Sequence, residues 1–304
     1  MQTEIIVEIP NKKPYPIYIN KEPINVLVEQ LNKESENKRR LIIISEKVYK
    51  LYRKTFKFNK KELFILKDGE EQKNIKNYLK IINKAIELKL SRKDLIIAIG
   101  GGVVGDIAGF VASTYMRGIE FIQVPTTLLA FVDSSVGGKT AIDLPSAKNY
   151  IGSFYQPSKV FINLNFLNTL DKKQMLSGYG EIIKYALIEK SCLADKNYLL
   201  FDYLSITLDR ILEKNPNVLA NVIQKCLELK ISVVQKDEQE GGLRKILNLG
   251  HTYAHALETI TNYKKFTHGE AVVYGILFVF DYALATNKIT KMTKNFLASN
   301  LESK

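Results

Sequence analysis

The stretch from Asp94 to Gly152, DLIIAIGGGVVGDIAGFVASTYMRGIEFIQVPTTLLAFVDSSVGGKTAIDLPSAKNYIG, constrains the fold more than any other. An apolar run, Leu95 to Ile99, enters the glycine cluster Gly100 to Gly102. Gly105, Asp106 and a small-residue helical pattern from Ile107 to Tyr115 follow. Strand, glycine turn and helix in that order make an anion site, because the turn's N–H groups and the positive helix end face one point. Glycine matters there because a Cβ would hold a phosphate away. Gly100, Gly102 and Gly105 satisfy G-x-G-x-x-G, which by itself fits a tightly packed strand-helix turn equally well. The dinucleotide fingerprint also requires an acid at the end of the next strand, roughly 20 residues on. Glu120 has the distance, but it precedes the strand FIQVP. These residues therefore point to a dinucleotide phosphate site without an ordinary Rossmann ribose clamp.

The second half of the stretch adds weight. SSVGGKTA matches half of a phosphate-binding P-loop, and the other half fails because Asp133 stands where that loop needs its first glycine. Thr126, Thr127, Asp133, Lys139, Lys148 and Asn149 put many polar groups among glycines and strands, an unusual density for a plain core.

The rest of the chain reads as α/β and then α. IIVEI and YPIYI form a hairpin-like pair of strands, LIIIS (Leu41 to Ser45) a buried strand followed by a helix, and LFILK (Leu63 to Lys67) the next strand. Asn74 to Leu88 has helical spacing, with Ile75, Leu79, Ile82 and Ile86 on one face. Strands alternating with helices argue for a parallel α/β layer. After Asn163 long helical patterns dominate. DGEEQK lies at the C-terminal end of LFILK, where open α/β sheets bind ligands. On residue type alone, Glu70 and Lys73 equally describe a solvated pair one helical turn apart.

With 304 residues and 46% apolar composition, the chain has material for one large domain or two. Its first residues, MQTEIIVEIPNKK, lack a signal-peptide apolar core, and Asp106 interrupts the most apolar run. Two cysteines, Cys192 and Cys226, fit a reduced cytoplasmic protein without a disulfide framework. The net charge is +12, yet only seven of the 44 cations are arginine, and the lysines are scattered through exposed helical patterns. That is a lysine-rich solvated surface rather than a nucleic-acid footprint, although the field would still draw in an anionic substrate.

All three histidines fall between His251 and His268. His251 and His255, four apart in GHTYAH, share one helix face. Thr252 excludes the H-E-x-x-H metalloprotease pattern. Two histidines, a carboxylate and a water make an open catalytic zinc site. Several carboxylates satisfy the third position by residue type, and Glu181 in GYGEIIKYALI is a good candidate because its glycines permit close approach. Surface caps or satisfied core histidines remain the alternative at this level.

The strings GGGVVGD, TYMRG, VPTTLLA, VDSSVGGKT and KNYIGSFYQP closely resemble the 3-dehydroquinate synthase family. The likeness runs from DGEEQK at Asp68 to HGEAV at His268, about two thirds of the chain. It implies an α/β Rossmann-like N-terminal domain, residues 1–165, and an all-α C-terminal domain, residues 166–304, with the active site in the cleft between them. It also implies NAD, one divalent metal per subunit (Zn or Co), and a sugar-phosphate substrate. The expected reaction converts 3-deoxy-D-arabino-heptulosonate 7-phosphate to 3-dehydroquinate and phosphate. It proceeds by transient oxidation, phosphate elimination, re-reduction and aldol closure, within the shikimate route to chorismate and the aromatic amino acids. NAD is regenerated in each turnover.

By this resemblance the metal ligands are Glu181, His251 and His268. Lys184, Lys139, His255 and Asp133 are catalytic; Arg117, Asn149, Lys230, Arg244 and Asn248 bind substrate. The cofactor contacts are Asp68, Gly69, Glu70, Glu71, Gln72, Lys73, Gly101, Gly102, Val103, Val104, Gly105, Asp106, Thr126, Thr127, Lys139, Lys148, Phe166, Leu167, Asn168 and Thr169. FLNTL, from Phe166, marks the domain hinge. Arg117 reaches the neighbouring subunit's site, which implies a homodimer; no nucleic acid or membrane is involved.

The chain departs from the family at Ser45, which replaces a usual Asp near the adenine ribose, and at Ala254 and Gln239. Its C-terminus, KMTKNFLASNLESK, is expected to be shortened relative to the family, without a final lysine that reaches the substrate phosphate, and turnover or substrate affinity is expected to be weaker for it. Other sugar-phosphate cyclases, making an inosose or a valiolone, and metal-dependent polyol dehydrogenases are the nearest rivals. Arg244 and Asn248 before GH, with Lys230 upstream, favour dehydroquinate.

Overall fold

A computed structural model describes residues 3–192, 199–261, 263–292 and 294–295. The chain divides into two compact units, Met1–Thr169 and Leu170–Lys304.

In chain order the first unit contains β1 (Thr3–Val7), β2 (Tyr15–Asn20), α1 (Ile24–Glu34), β3 (Arg40–Ser45), α2 (Glu46–Phe56) and β4 (Leu63–Leu66). Then come α3 (Ile75–Glu87), β5 (Leu95–Gly100), α4 (Gly102–Thr114), β6 (Glu120–Pro125), β7 (Lys139–Leu144), β8 (Ala147–Phe154) and β9 (Lys159–Asn163). Seven strands form one sheet in the order β1-β2-β9-β6-β5-β3-β4. All neighbours run parallel except β1 with β2.

The apolar runs are continuous because both sheet faces are covered. Leu41–Ile44 and Leu95–Gly100 are buried throughout. In the register, Ile97 lies between Ile42 and Ile122. One face carries Leu41, Ile43, Ile96 and Ala98 against Ile81 and Ala85 of α3 and Val104, Ile107 and Val111 of α4. From β3 the chain moves outward to β4, whereas from β5 it moves the other way, to β6. The ends of β3 and β5 therefore flank a topological switch point, where doubly wound sheets bind ligands.

Two local expectations change. The stripe Ile75, Leu79 and Ile86 on α3 faces outward, 44%, 51% and 58% exposed, while Asn77, Ile81 and Ala85 turn inward. Spacing identifies a helix but not which of two apolar stripes meets the sheet. The SSVGGKTA string opens an antiparallel hairpin, β7 with β8, after Gly137 and Gly138 at φ 99° and 68°.

The second unit is helical among its described residues: α5 (Lys172–Cys192), α6 (Leu200–Leu212), α7 (Pro216–Lys236), α8 (His251–Ile260) and α9 (His268–Ala285). By length and composition α9 is apolar enough to cross a membrane. In this structure its Ala271, Val272, Ile276 and Phe280 pack with Ala254 and Leu257 of α8. Most of the C-terminal string KMTKNFLASNLESK lies outside the described residues.

Candidate active site

The glycine turn of the first unit leaves the start of α4 bare. Gly101 occupies the N-cap position and supplies no capping side chain. A Cβ on Gly101 would lie 3.2 Å from Thr127 Cγ2, and one on Gly102 would lie 3.1 Å from Ser134 Oγ. Thr126 N–H donates to the Gly100 carbonyl at 2.9 Å, joining the ends of β5 and β6. Thr127 Oγ1 accepts from Ala130 N–H at 3.2 Å and begins the next helical turn. The helix start thus carries no capping side chain and presents a positive dipole end, the chemistry of a phosphate cradle. Val103 and Val104 continue α4 from this turn.

Beside the cradle, Lys73 is the hub of a charged cluster. Its Nζ lies 3.1 Å from Glu70, 3.1 Å from Asp106 and 3.8 Å from Asp143, and donates to Asn149 Oδ1 at 2.7 Å. Lys148 joins through Glu70 at 3.3 Å. Burial disfavours the Lys73 charge, but Asp106, Glu70 and Asp143 outweigh it and raise its pKa. Burial pushes the Asp106 carboxyl up to about 6 against the pull of Lys73. Glu70 is held below its usual range, because Lys73 and Lys148 together overcome its burial.

Asp143 had no role in the sequence reading. Its N–H donates to the Lys73 carbonyl at 2.7 Å, and its Oδ1 accepts from Asn149 N–H at 2.9 Å. It therefore clasps the β7–β8 hairpin to the Lys73 loop and sets Lys148 and Asn149 beside the cluster. The only signal in the sequence was one more acid in a polar string.

Ser45 is tied to a neighbouring acid. Ser45 Oγ donates to Asp68 Oδ1 at 2.6 Å, and Lys47 N–H donates to Asp68 Oδ2 at 2.9 Å. An acid from the end of β4 thus sits at the end of β3. Gly69 precedes a short helical turn of Glu70, Glu71 and Gln72. Phe166 and Leu167 are buried, Asn168 is exposed, and Thr169 Oγ1 bonds the Tyr52 hydroxyl at 2.8 Å. Asp133 lies in a short π-helical turn, and Lys139 opens β7, exposed. Arg117 is exposed at the end of α4, in a left-handed pair with Met116 at φ 63° and 52°.

The second unit gathers its own cluster. Glu181 on α5, His251 on α8 and His268 on α9 place their ligand atoms within 4.8 Å of one another. Both histidines point Nε2 at Glu181 Oε1, at 3.6 Å for His251 and 3.4 Å for His268. Each Nδ1 has an acceptor of its own: the Leu249 carbonyl at 3.2 Å for His251, and Glu258 Oε1 at 3.2 Å for His268. An Nδ1–H donated there leaves the Nε2 lone pair facing the centre.

Local sequence explains these positions. Thr267 and Glu270 form a capping box that makes His268 the first residue of α9. Gly250, in the left-handed region at φ 79°, starts α8 at His251. A fully buried carboxylate and two imidazoles suit a divalent metal such as Zn²⁺. Without an ion, burial lowers His251 to about 4 despite Glu181. His268 rises to about 10, because its bonds to Glu181 and Glu258 outweigh its burial.

Lys184, one turn beyond Glu181, is buried and ion-paired with it, and lies 4.8 Å over the Tyr185 ring. The exposed His255 ring lies 5.6 Å from that of His251 and 6.3 Å from that of His268. Lys230 is buried on α7. Arg244 is buried and donates to the Glu238 carbonyl, while exposed Asn248 bonds Glu240.

A doubly wound α/β unit followed by a helical unit is the architecture of the sugar-phosphate cyclases. The crystal structure of 2-deoxy-scyllo-inosose synthase complexed with carbaglucose-6-phosphate, NAD⁺ and Co²⁺ matches 98% of this chain and 80% of its own, with TM-score 0.83 and 27% identity. The chain itself belongs to the 3-dehydroquinate synthase family. The family's N-terminal model matches residues 63–177 and its C-terminal model residues 178–303. A 3-dehydroquinate synthase of Alkaliphilus metalliredigens is 50% identical over 217 residues, 71% of this chain. One of Thermoanaerobacter pseudethanolicus is 43% identical over 279 residues, 90% of this chain. The chain spans 59% of the first relative's length and 76% of the second's.

Proposed function

We propose that this chain catalyses the 3-dehydroquinate synthase reaction, converting 3-deoxy-D-arabino-heptulosonate 7-phosphate to 3-dehydroquinate and phosphate in the cytoplasm. The observation that carries the reading is the convergence of Glu181, His251 and His268, with both Nε2 atoms turned to one buried carboxylate oxygen. The family relationship supports the substrate.

Glu181, His251 and His268 would hold the metal. The Gly101–Asp106 turn would hold the NAD pyrophosphate, with Asp68–Lys73, Thr126, Thr127, Lys139, Lys148 and Phe166–Thr169 contacting the rest of the cofactor. When bound, the metal supplies Lewis-acid polarisation of a hydroxyl, and NAD supplies reversible hydride acceptance.

The protein's own groups orient and neutralise. Lys184, held beside Glu181, adds positive charge where a substrate hydroxyl is to lose its proton. Lys73 keeps Asp106, Glu70 and Asp143 compensated at the edge of the cofactor cradle. Lys139, Asn149, Lys230, Arg244, Asn248 and His255 offer cationic and hydrogen-bonding groups to a phosphate and several hydroxyls. Arg117, exposed and held in a left-handed turn, is suited to reach a second copy in a homodimer.

A second reading, another sugar-phosphate cyclase, is favoured by the likeness to the inosose synthase. One assay separates the readings. With the heptulosonate phosphate, substoichiometric NAD⁺ and Zn²⁺ or Co²⁺, phosphate and dehydroquinate should both exceed the added NAD⁺ many-fold, with no lasting NADH absorbance. Stoichiometric NADH would identify a dehydrogenase. Turnover of a hexose 6-phosphate in place of the heptulosonate would identify a different cyclase.

A further inference from the structure

The mechanism above uses one carboxylate of the helical unit, Glu181. A second, Glu258, is also buried, at 8% exposure, and stands on α8 seven residues after His251. Seven residues are close to two helical turns, so Glu258 shares the inward face of α8 with His251. Its Oε1 lies 3.2 Å from Nδ1 of His268, on the side of the ring away from the atom aimed at Glu181.

We infer that Glu258 is a positioning residue for the metal site: it accepts the Nδ1–H of His268 and so holds that ring with Nε2 turned to the metal. The inference rests on the reading that a metal sits at Glu181, His251 and His268. Three observations on the protein itself support it. The acceptor is a carboxylate, which binds an imidazole N–H more strongly than a carbonyl does. It comes from a helix other than the one that carries His268, so it fixes the ring relative to α8 and therefore relative to His251. His268 opens α9, where only one side of its backbone is helical, and its ring, 31% exposed, has less packing than Glu181 to hold its rotamer. His251 needs no such partner from another helix, because the Leu249 carbonyl two residues back takes its Nδ1.

A hydrogen-bonded carboxylate behind a metal-bound histidine raises the ligand's basicity and removes its freedom to rotate. Loss of such a partner typically weakens metal affinity by about 10–100-fold. Glu258→Ala should therefore bind Zn²⁺ about 10–100-fold more weakly than the parent chain in competition with a chromophoric chelator. Its Co²⁺ adduct should show altered d–d absorption bands. Glu258→Gln keeps an acceptor oxygen and should recover most of the affinity.

Thermal unfolding of the metal-free proteins supplies the control for folding, and the Gln variant keeps the test valid if the Ala variant is unstable. A purely structural Glu258 would lower the metal-free unfolding temperature while leaving Zn²⁺ affinity and the Co²⁺ spectrum unchanged; that pattern overturns the inference. If the parent chain binds no metal at this site, the metal reading itself fails, and Glu258 loses its proposed role with it.

Discussion

Gly180 and Gly269 meet backbone to backbone: a Cβ on Gly180 would lie 2.3 Å from the Gly269 carbonyl oxygen. A Cβ on Gly269 would in turn lie 1.9 Å from the Ser177 carbonyl oxygen, and Gly269 N–H reaches Ser177 Oγ at 3.3 Å. The contact sets α5 directly on the first turn of α9. Because Glu181 follows Gly180 and His268 precedes Gly269, the same contact brings carboxylate and imidazole together.

Gly180→Ala should push the two helices apart. Overpacking of this kind costs about 1–3 kcal/mol, and no flexible side chain is present to give way. Chemical denaturation should show the loss. Zinc affinity should fall as well, since the Glu181–His268 distance would lengthen. A variant with unchanged stability and unchanged metal affinity would show that the helices tolerate the extra atom.

His251→Ala should abolish metal binding while the protein stays folded, because the ring faces Glu181 and is not part of the apolar cluster of α8 and α9. Chelator treatment of the parent chain should abolish turnover, and Zn²⁺ or Co²⁺ should restore it. Metal content is read by atomic absorption and folding by circular dichroism. Full metal content in the folded variant would remove His251 from the ligand set.

Asp106 predicts a pH dependence. Its carboxyl is raised to about 6 by burial, against an ordinary value of about 3.9. Between those values the folded protein holds a proton that the unfolded chain has released, so the Asp106 contribution to stability is present below about pH 4 and is lost as pH rises through about 6. Asp106→Asn removes this titrating group. The variant's stability relative to the parent should therefore rise from pH 4 to pH 6.5 in urea titrations. A constant difference across that range would contradict the assignment.

Lys73→Met should be the most damaging change in the first unit. It leaves Glu70, Asp106 and Asp143 around a site from which the cation is gone. Removing one partner from a buried charge pair costs about 3–5 kcal/mol. Glu70 keeps 34% of its side chain exposed, so the loss should fall at or below the low end of that range. Urea unfolding measures it, and NAD⁺ titration by fluorescence should show weakened binding in any folded fraction.

Much of this protein was legible in the residues. The buried runs Leu41–Ser45 and Leu95–Gly100 declare parallel strands, because a strand covered on both faces carries no polar alternation. The glycine cluster declares the bare helix start behind it, and the i, i+4 histidines declare a shared helix face. These features are local: each depends on residues within one turn or one strand. Tertiary structure decided what depended on distant partners. Periodicity did not say that Ile75, Leu79 and Ile86 would face outward, because either apolar stripe of α3 has helical spacing and only docking on the sheet chooses between them. It did not assign Asp143 to the Lys73 loop, a pairing between segments 70 residues apart. On residues alone Glu181 was one carboxylate among several. Its place beside His251 and His268 comes from three helices packed through glycines, where side-chain distances are fixed by contacts that span most of the second unit.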